Sequence, residues 1–197
     1  MPNWCMNTVT LEHEDPAMIA RAKAAFAEGK FLHEFVPVPL CLTETVAGCL
    51  GDPEKQAELE KSEQDNLNAY NYKNWYDFCI GEWGTKWDAK TEYDESYTIE
   101  GNQLTIFFDT AWSPPMQIYY ALEEMGFEVE ATYVEQGVGY IGFYSDGVDN
   151  CEKMTQFYPE PSDDPEMEDS AMDEITLKIY DYFEKNGFTH SPTNLGG

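Results

Sequence analysis

Between Asn3 and Glu12 the chain reads NWCMNTVTLE, where side chains alternate with a strand's period of two: Asn7, Val9 and Leu11 share one face, and Met6, Thr8 and Thr10 the other. A helix follows, because Asp15 and Pro16 make a cap and first-turn pair, Ile19, Ala22 and Phe26 keep helical spacing, and Gly29 is a natural stop. In FLHEFVPVPL, Pro37 and Pro39 predict an extended connector over Phe31 to Leu40. Asp52 and Pro53 repeat the cap signal ahead of a polar, solvated helix. Tyr72, Trp75, Tyr76 and Cys79 then fall on one face of a second helical stretch.

The clearest hairpin is YDESYTIE turning at Gly101 and Asn102 into QLTIFFDTAW, with Leu104, Ile106 and Phe108 on one face. Ser113 reads as the cap of a helix opened by Pro114 and Pro115, buried along Ile118, Leu122 and Met125 and ended by Gly126. FEVEATYVE alternates strictly, Phe127, Val129, Ala131 and Tyr133 against Glu128, Glu130 and Thr132. It leads through Gln136 and Gly137 to GYIGFYS, a strand whose glycines signal a bulge or a close backbone approach. YPEPSDDPEMEDS reads as a solvated acidic loop, after which Ser170 and Asp173 resemble a capping box for a terminal helix with Ile175, Ile179, Tyr182 and Phe183. The tail after Phe188 is expected to fray.

Without the insertion the order is strand, helix, strand, strand, helix, strand. This predicts an α+β fold, a ferredoxin-like split βαβ antiparallel sheet with a helical insertion and a C-terminal helix. The expected division is a ferredoxin-like domain over 1–150, with the insertion at about 52–82, and an acidic loop and C-terminal helix over 151–197. Such a sheet buries one face under helices and leaves the other available.

Composition changes the picture mainly through charge. At 42% hydrophobic and 15% aromatic the chain is globular, yet 38 acidic residues against 11 basic ones give a formal net charge of -27. That field disfavours direct contact with nucleic acid phosphates or an anionic membrane, and it attracts basic surfaces, of which the commonest are built for nucleic acid. Solubility or salt adaptation is the plain alternative. Cys5, Cys41, Cys49, Cys79 and Cys151 are odd in number and widely spread. With His13, His33 and His190 they make no zinc spacing, so no metal or other cofactor is expected. MPNWCMNT has no signal-peptide pattern and no apolar run approaches membrane-spanning length, so a cytoplasmic protein is expected.

Three segments, MPNWCMN at the start, WGTKWDA at 83–89 and FDTAWSPP at 108–115, together resemble the YubB-like or Api-like family of phage and plasmid proteins. The resemblance spans about the first three quarters of the chain. It implies a mobile-element origin and a ferredoxin-like domain, and brings no catalytic residues with it.

Trp83, Lys86, Trp87, Asp109 and Trp112, in the two tryptophan segments, have two readings. In one they are architecture: the rings supply apolar area, and Lys86 pairs with Asp109 or Asp88. In the other they form an exposed aromatic platform beside a cation, suited to a peptide or nucleobase. The global charge argues for architecture. No catalytic residues are nominated: Cys5 and His13 merely share a strand side, Glu92, Asp94 and Glu95 read as surface, and there is no phosphate-binding glycine loop.

The acidic stretch, Glu160, Asp163, Asp164, Glu166, Glu168, Asp169, Asp173 and Glu174, is a solubilising loop on the plain reading and a phosphate-like display for a basic partner on the sharper one. The expectation is a non-enzymatic phage or plasmid protein that binds and inhibits a basic, nucleic-acid-binding host protein, in the manner of a DNA mimic, an anti-CRISPR or an anti-restriction protein. The alternatives are an interaction or housekeeping module without a decoy role and, third, a small-molecule enzyme with a pocket near Trp87 and Trp112.

Overall fold

The first strand, β1 (Trp4–Glu12), is paired on both sides. In the computed structural model, which describes residues 2–89, 96–157 and 166–188 (backbone alone at 156 and 166–173), β1 runs antiparallel to β3 (Gln103–Ala111) and to β4 (Glu128–Glu135). The hairpin partner β2 (Tyr97–Glu100) flanks β3, while β5 (Tyr140–Ser145) and β6 (Val148–Lys153) continue the sheet beyond β4. The result is an α+β protein with an open six-stranded antiparallel sheet, in the order β2-β3-β1-β4-β5-β6.

That sheet is larger than the split βαβ arrangement expected. Strand β6 went unread because every residue of VDNCEK is exposed, so an outermost strand shows no alternation of burial. It also carries the sheet across position 150.

One face of the sheet is covered by α1 (Pro16–Ala27), α2 (Phe31–Phe35) and α6 (Met116–Glu124). Asp15 caps α1 by accepting from Ala17 N at 2.9 Å. Ile19, Ala22 and Phe26 of that helix enter the core that Val9 of β1 and Ile106 and Phe108 of β3 build from the sheet side. The connector expected over 31–40 is corrected. Pro37 and Pro39 confine the extended backbone to the residues around them, and Phe31, Leu32 and Phe35 form a buried helical turn before them. A short helix α3 (Leu40–Glu44) follows. On α6, Ile118 and Leu122 are buried as expected, joined by Tyr119, while Met125 is exposed at the helix end.

The other sheet face is not left open. The terminal helix α7 (Glu166–Lys185) packs there, Ile175, Ile179 and Phe183 meeting Val134, Ile141 and Met154 in a second apolar cluster. It starts ahead of Ser170, so the capping box expected at Ser170 and Asp173 lies inside the helix; EMEDSAMDE is rich enough in helix formers to run on without it.

The insertion is largely helical. α4 (Pro53–Tyr70) is capped by Asp52, which accepts from Glu54 N and Lys55 N, and ends at Asn71 in the left-handed conformation. Its outer surface is polar, and it is anchored through Leu59 and through Asn66, which donates to Thr45 Oγ1 and the Lys73 carbonyl. α5 (Trp75–Phe78) then passes into a π-helical turn at Cys79–Trp83. The expected face of Tyr72, Trp75, Tyr76 and Cys79 is corrected accordingly. Tyr72 precedes the helix, and the widened turn buries Phe78, Cys79 and Trp83. Among the described residues no helix is long and apolar enough to cross a membrane.

Candidate functional site

The two tryptophan segments meet at one corner of the sheet. Leaving the π-helical turn, Gly84 adopts φ 81 and its carbonyl accepts from Ser113 Oγ at 2.5 Å. A Cβ at Gly84 would sit 3.4 Å from Met116 N and from the Pro114 carbonyl, so glycine suits both the backbone and the close approach. Thr85 Oγ1 donates to the Ala111 carbonyl, and Thr110 Oγ1 to the Ser113 carbonyl. Ser113 is therefore not the expected cap of α6, whose preceding residue Pro115 offers no side-chain bond; its hydroxyl stitches the corner instead.

The rings divide between two roles. Trp83 is 4% exposed and donates from Nε1 to the Val36 carbonyl at 2.8 Å, a core residue whose one polar atom is satisfied. Trp87 and Trp112 are 39% and 40% exposed. Trp83 is thus a core residue, whereas Trp87 and Trp112 keep part of their surface open to solvent.

Lys86 is gathered by the exposed rings. Its Nζ lies 4.3 Å from the Trp87 centroid, 5.6 Å from that of Tyr76 and 5.8 Å from that of Trp112, all within the range where a ring quadrupole attracts a cation. Trp4 of β1 stands beside Trp87, with centroids 6.0 Å apart. The pairing expected with Asp88 is corrected: its carboxylate accepts from Leu32 N at 2.8 Å and His33 N at 3.0 Å, fixing the start of α2. Burial raises the Asp88 pKa, and those backbone donors oppose the rise. Asp109 sits on β3 opposite Met6, one position from the core residue Phe108 and so on the other sheet face.

Trp112 has φ 69, a left-handed conformation that bulky residues rarely adopt and that costs on the order of 1–3 kcal/mol. Two hydrogen bonds hold it, from Trp112 N to the Asn3 carbonyl and from Tyr140 Oη to the Trp112 carbonyl. The indole carried by this backbone remains partly at the surface.

Beside this corner is a cleft of about 740 Å³ lined by Glu60 and Glu63 of α4, Tyr76 and Asp77 of α5, and Lys86 and Trp112. Sequence reading singled out Lys86 and Trp112 but missed Glu60, Glu63 and Asp77, and no local signal in the polar helix α4 shows that it returns to this corner. In the π-helical turn, a Cβ at Gly81 would lie 2.6 Å from the Tyr72 ring. Tyr72 Oη donates to Glu82 at 2.6 Å, and that bond first, then burial, pushes its pKa up to about 12.

Glu160, Asp163 and Asp164 lie outside the described residues, as do Glu92, Asp94, Glu95 and the tail beyond Phe188. Glu166, Glu168, Asp169 and Asp173 lie on α7 where the backbone alone is described. Glu174 is exposed and meets Lys178 at 2.8 Å. Cys5 is buried, and His13 lies just past the far end of the same strand, about 26 Å away at a strand's rise per residue.

No family model matches the chain, and no curated protein matches it. Among solved structures, the crystal structure of a protein Api92 from Yersinia pseudotuberculosis, labelled with the family model DUF1281, is 9% identical, with 82% of this chain and 100% of that one covered and a TM-score of 0.38.

Proposed function

We propose that this is a non-enzymatic acidic binding protein of phage or plasmid origin, acting in the host cytoplasm, which holds and inhibits a basic host protein that handles nucleic acid, such as a defence nuclease. The observation that carries the reading is the formal net charge of -27 on a fold in which Glu135 is the buried carboxylate among the described residues and the others are exposed or half-buried. Charge left on a surface in that excess steers association with basic partners and repels phosphate.

Helix α4 supplies a rigid part of that surface. The carboxylates run from the cap Asp52 through Glu54, Glu58, Glu60 and Glu63 to Asp65. At 1.5 Å per residue that is about 20 Å of axis, or one carboxylate per roughly 4 Å, near the 3.4 Å phosphate spacing of a single DNA strand. Lys55 and Lys61 dilute it, so a decoy of duplex charge density draws on more than this helix, the stretch from Glu160 to Glu174 included.

We also read β2-β3-β1-β4 with α1 and α6 as a ferredoxin-like unit extended by two strands, in line with the YubB-like or Api-like resemblance of the tryptophan segments. The antiparallel order of those strands supports it.

The test is capture of partners from host lysate at low salt, followed by elution with rising salt. A basic nucleic-acid-binding protein that is retained and then released as ionic strength rises is the expected result. Retention of no such protein, or retention indifferent to salt, overturns the proposal.

A further inference from the structure

We propose that the cleft between α4 and the Tyr76–Lys86–Trp112 corner is a docking subsite for an arginine side chain of a basic partner. The inference rests on the acidic-binding reading above and names the place where such a partner is anchored.

The cleft volume of about 740 Å³ falls within the few hundred to about 1,000 Å³ typical of ligand sites, ample for one long side chain. Its chemistry suits a cation twice over. Glu60, Glu63 and Asp77 supply carboxylates, and the rings facing Lys86 already stabilise a positive charge at 4.3 to 5.8 Å. Guanidinium matches this pairing better than ammonium, since its flat face stacks on an indole while its edge donates to carboxylates. Trp112 is the natural platform: it is 40% exposed, lines the cleft, and is held outward in a left-handed backbone conformation that core packing does not explain.

An anionic planar ligand such as a nucleotide is the competing occupant, because Lys73 and Lys86 also line the cleft. Three carboxylates and the charge of the whole chain oppose it. The two occupants make opposite demands on Lys86, which repels an incoming arginine and attracts a phosphate.

The experiment is a tryptophan-fluorescence titration of the full chain at low salt with tetra-arginine amide, and separately with AMP. Circular dichroism verifies the fold of each variant. Tetra-arginine is expected to bind wild type, Trp112→Ala to weaken it at least tenfold, Glu60→Gln with Glu63→Gln to weaken it several-fold, and Lys86→Met to tighten it several-fold. Unchanged affinity in both the tryptophan and the double glutamine variants overturns the proposal, as does AMP binding that is lost in Lys86→Met. The same variants in the lysate capture separate this inference from the function it rests on. A basic partner retained equally by wild type and Trp112→Ala sinks the cleft and leaves the acidic-surface reading standing. Tetra-arginine binding at the cleft with no basic protein captured does the reverse.

Discussion

Ser113 Oγ donates to the carbonyl oxygen of Gly84 at 2.5 Å, joining two segments that lie 29 positions apart. The bond closes the corner from which Lys86, Trp87 and Trp112 project. Ser113→Ala removes the donor and leaves the Gly84 carbonyl without that partner, which is expected to lower stability by about 1–3 kcal/mol. Urea unfolding of the variant measures it. A midpoint equal to wild type would mean that water replaces the hydroxyl and that the corner is held by Thr85 and Thr110 without it.

Trp83 and Trp87, four residues apart, should behave as opposites. Trp83→Ala empties a core position and loses the bond to Val36, an expected loss of about 3–5 kcal/mol. Trp87→Ala removes a ring that is 39% exposed, and its effect on stability is expected to stay within about 1 kcal/mol. Thermal unfolding of the two variants side by side checks the division, and equal losses would place Trp87 in the core.

Much of the sheet was legible because burial follows the period of the backbone. In β3, Leu104, Ile106 and Phe108 share the buried face, with the half-buried Phe107 and Asp109 on the other, and in α1 the cap Asp15 and the buried Ile19, Ala22 and Phe26 agree on one helix. Where the pattern fails, a physical reason is visible. Thr8 and Thr132 are buried polar residues on the second sheet face, so that face reads as open to solvent until α7 is seen lying on it. Phe31, Leu32 and Phe35 make a helix of 5 residues, too short for periodicity to outweigh the prolines after it. The candidate site was half legible. Both tryptophan segments are conspicuous, but which ring is buried depends on the π-helical turn, and the return of Glu60 and Glu63 to the same corner is a tertiary fact.

Gly142 answers the question that the glycines of GYIGFYS raise. The β4–β5 register is continuous from Glu130 opposite Ser145 to Glu135 opposite Tyr140, so there is no bulge, and a Cβ at Gly142 would collide with Tyr133 Oη and the Asn150 carbonyl. Tyr133 lies opposite Gly142 and donates to Asp149 on β6. Gly142→Ala is expected to destabilise by about 1–3 kcal/mol through overpacking. Gly51→Ala is the control, since a Cβ there meets nothing within 4 Å and no left-handed φ is required. Equal unfolding midpoints for the two variants would contradict the close approach.

The cysteines should separate by burial. Cys49 and Cys151 are exposed, whereas Cys5 and Cys79 are buried, and burial raises both buried thiols above their ordinary pKa. For Cys79 the value is pushed up to about 12, burial first and the nearby Asp88 carboxylate second. A group whose pKa is higher in the folded state binds its proton more tightly there, so its contribution is fully present below the unfolded value of 9.0 and lost as pH rises towards 12. Stability should therefore fall over that window, and Cys79→Ala should flatten part of the slope in urea titrations at successive pH values. At neutral pH a thiol reagent is expected to label Cys49 and Cys151 promptly and to reach Cys5 and Cys79 on unfolding. Prompt labelling of Cys79 in the native protein, or an alkaline slope unchanged by Cys79→Ala, would show that the π-helical turn opens to solvent.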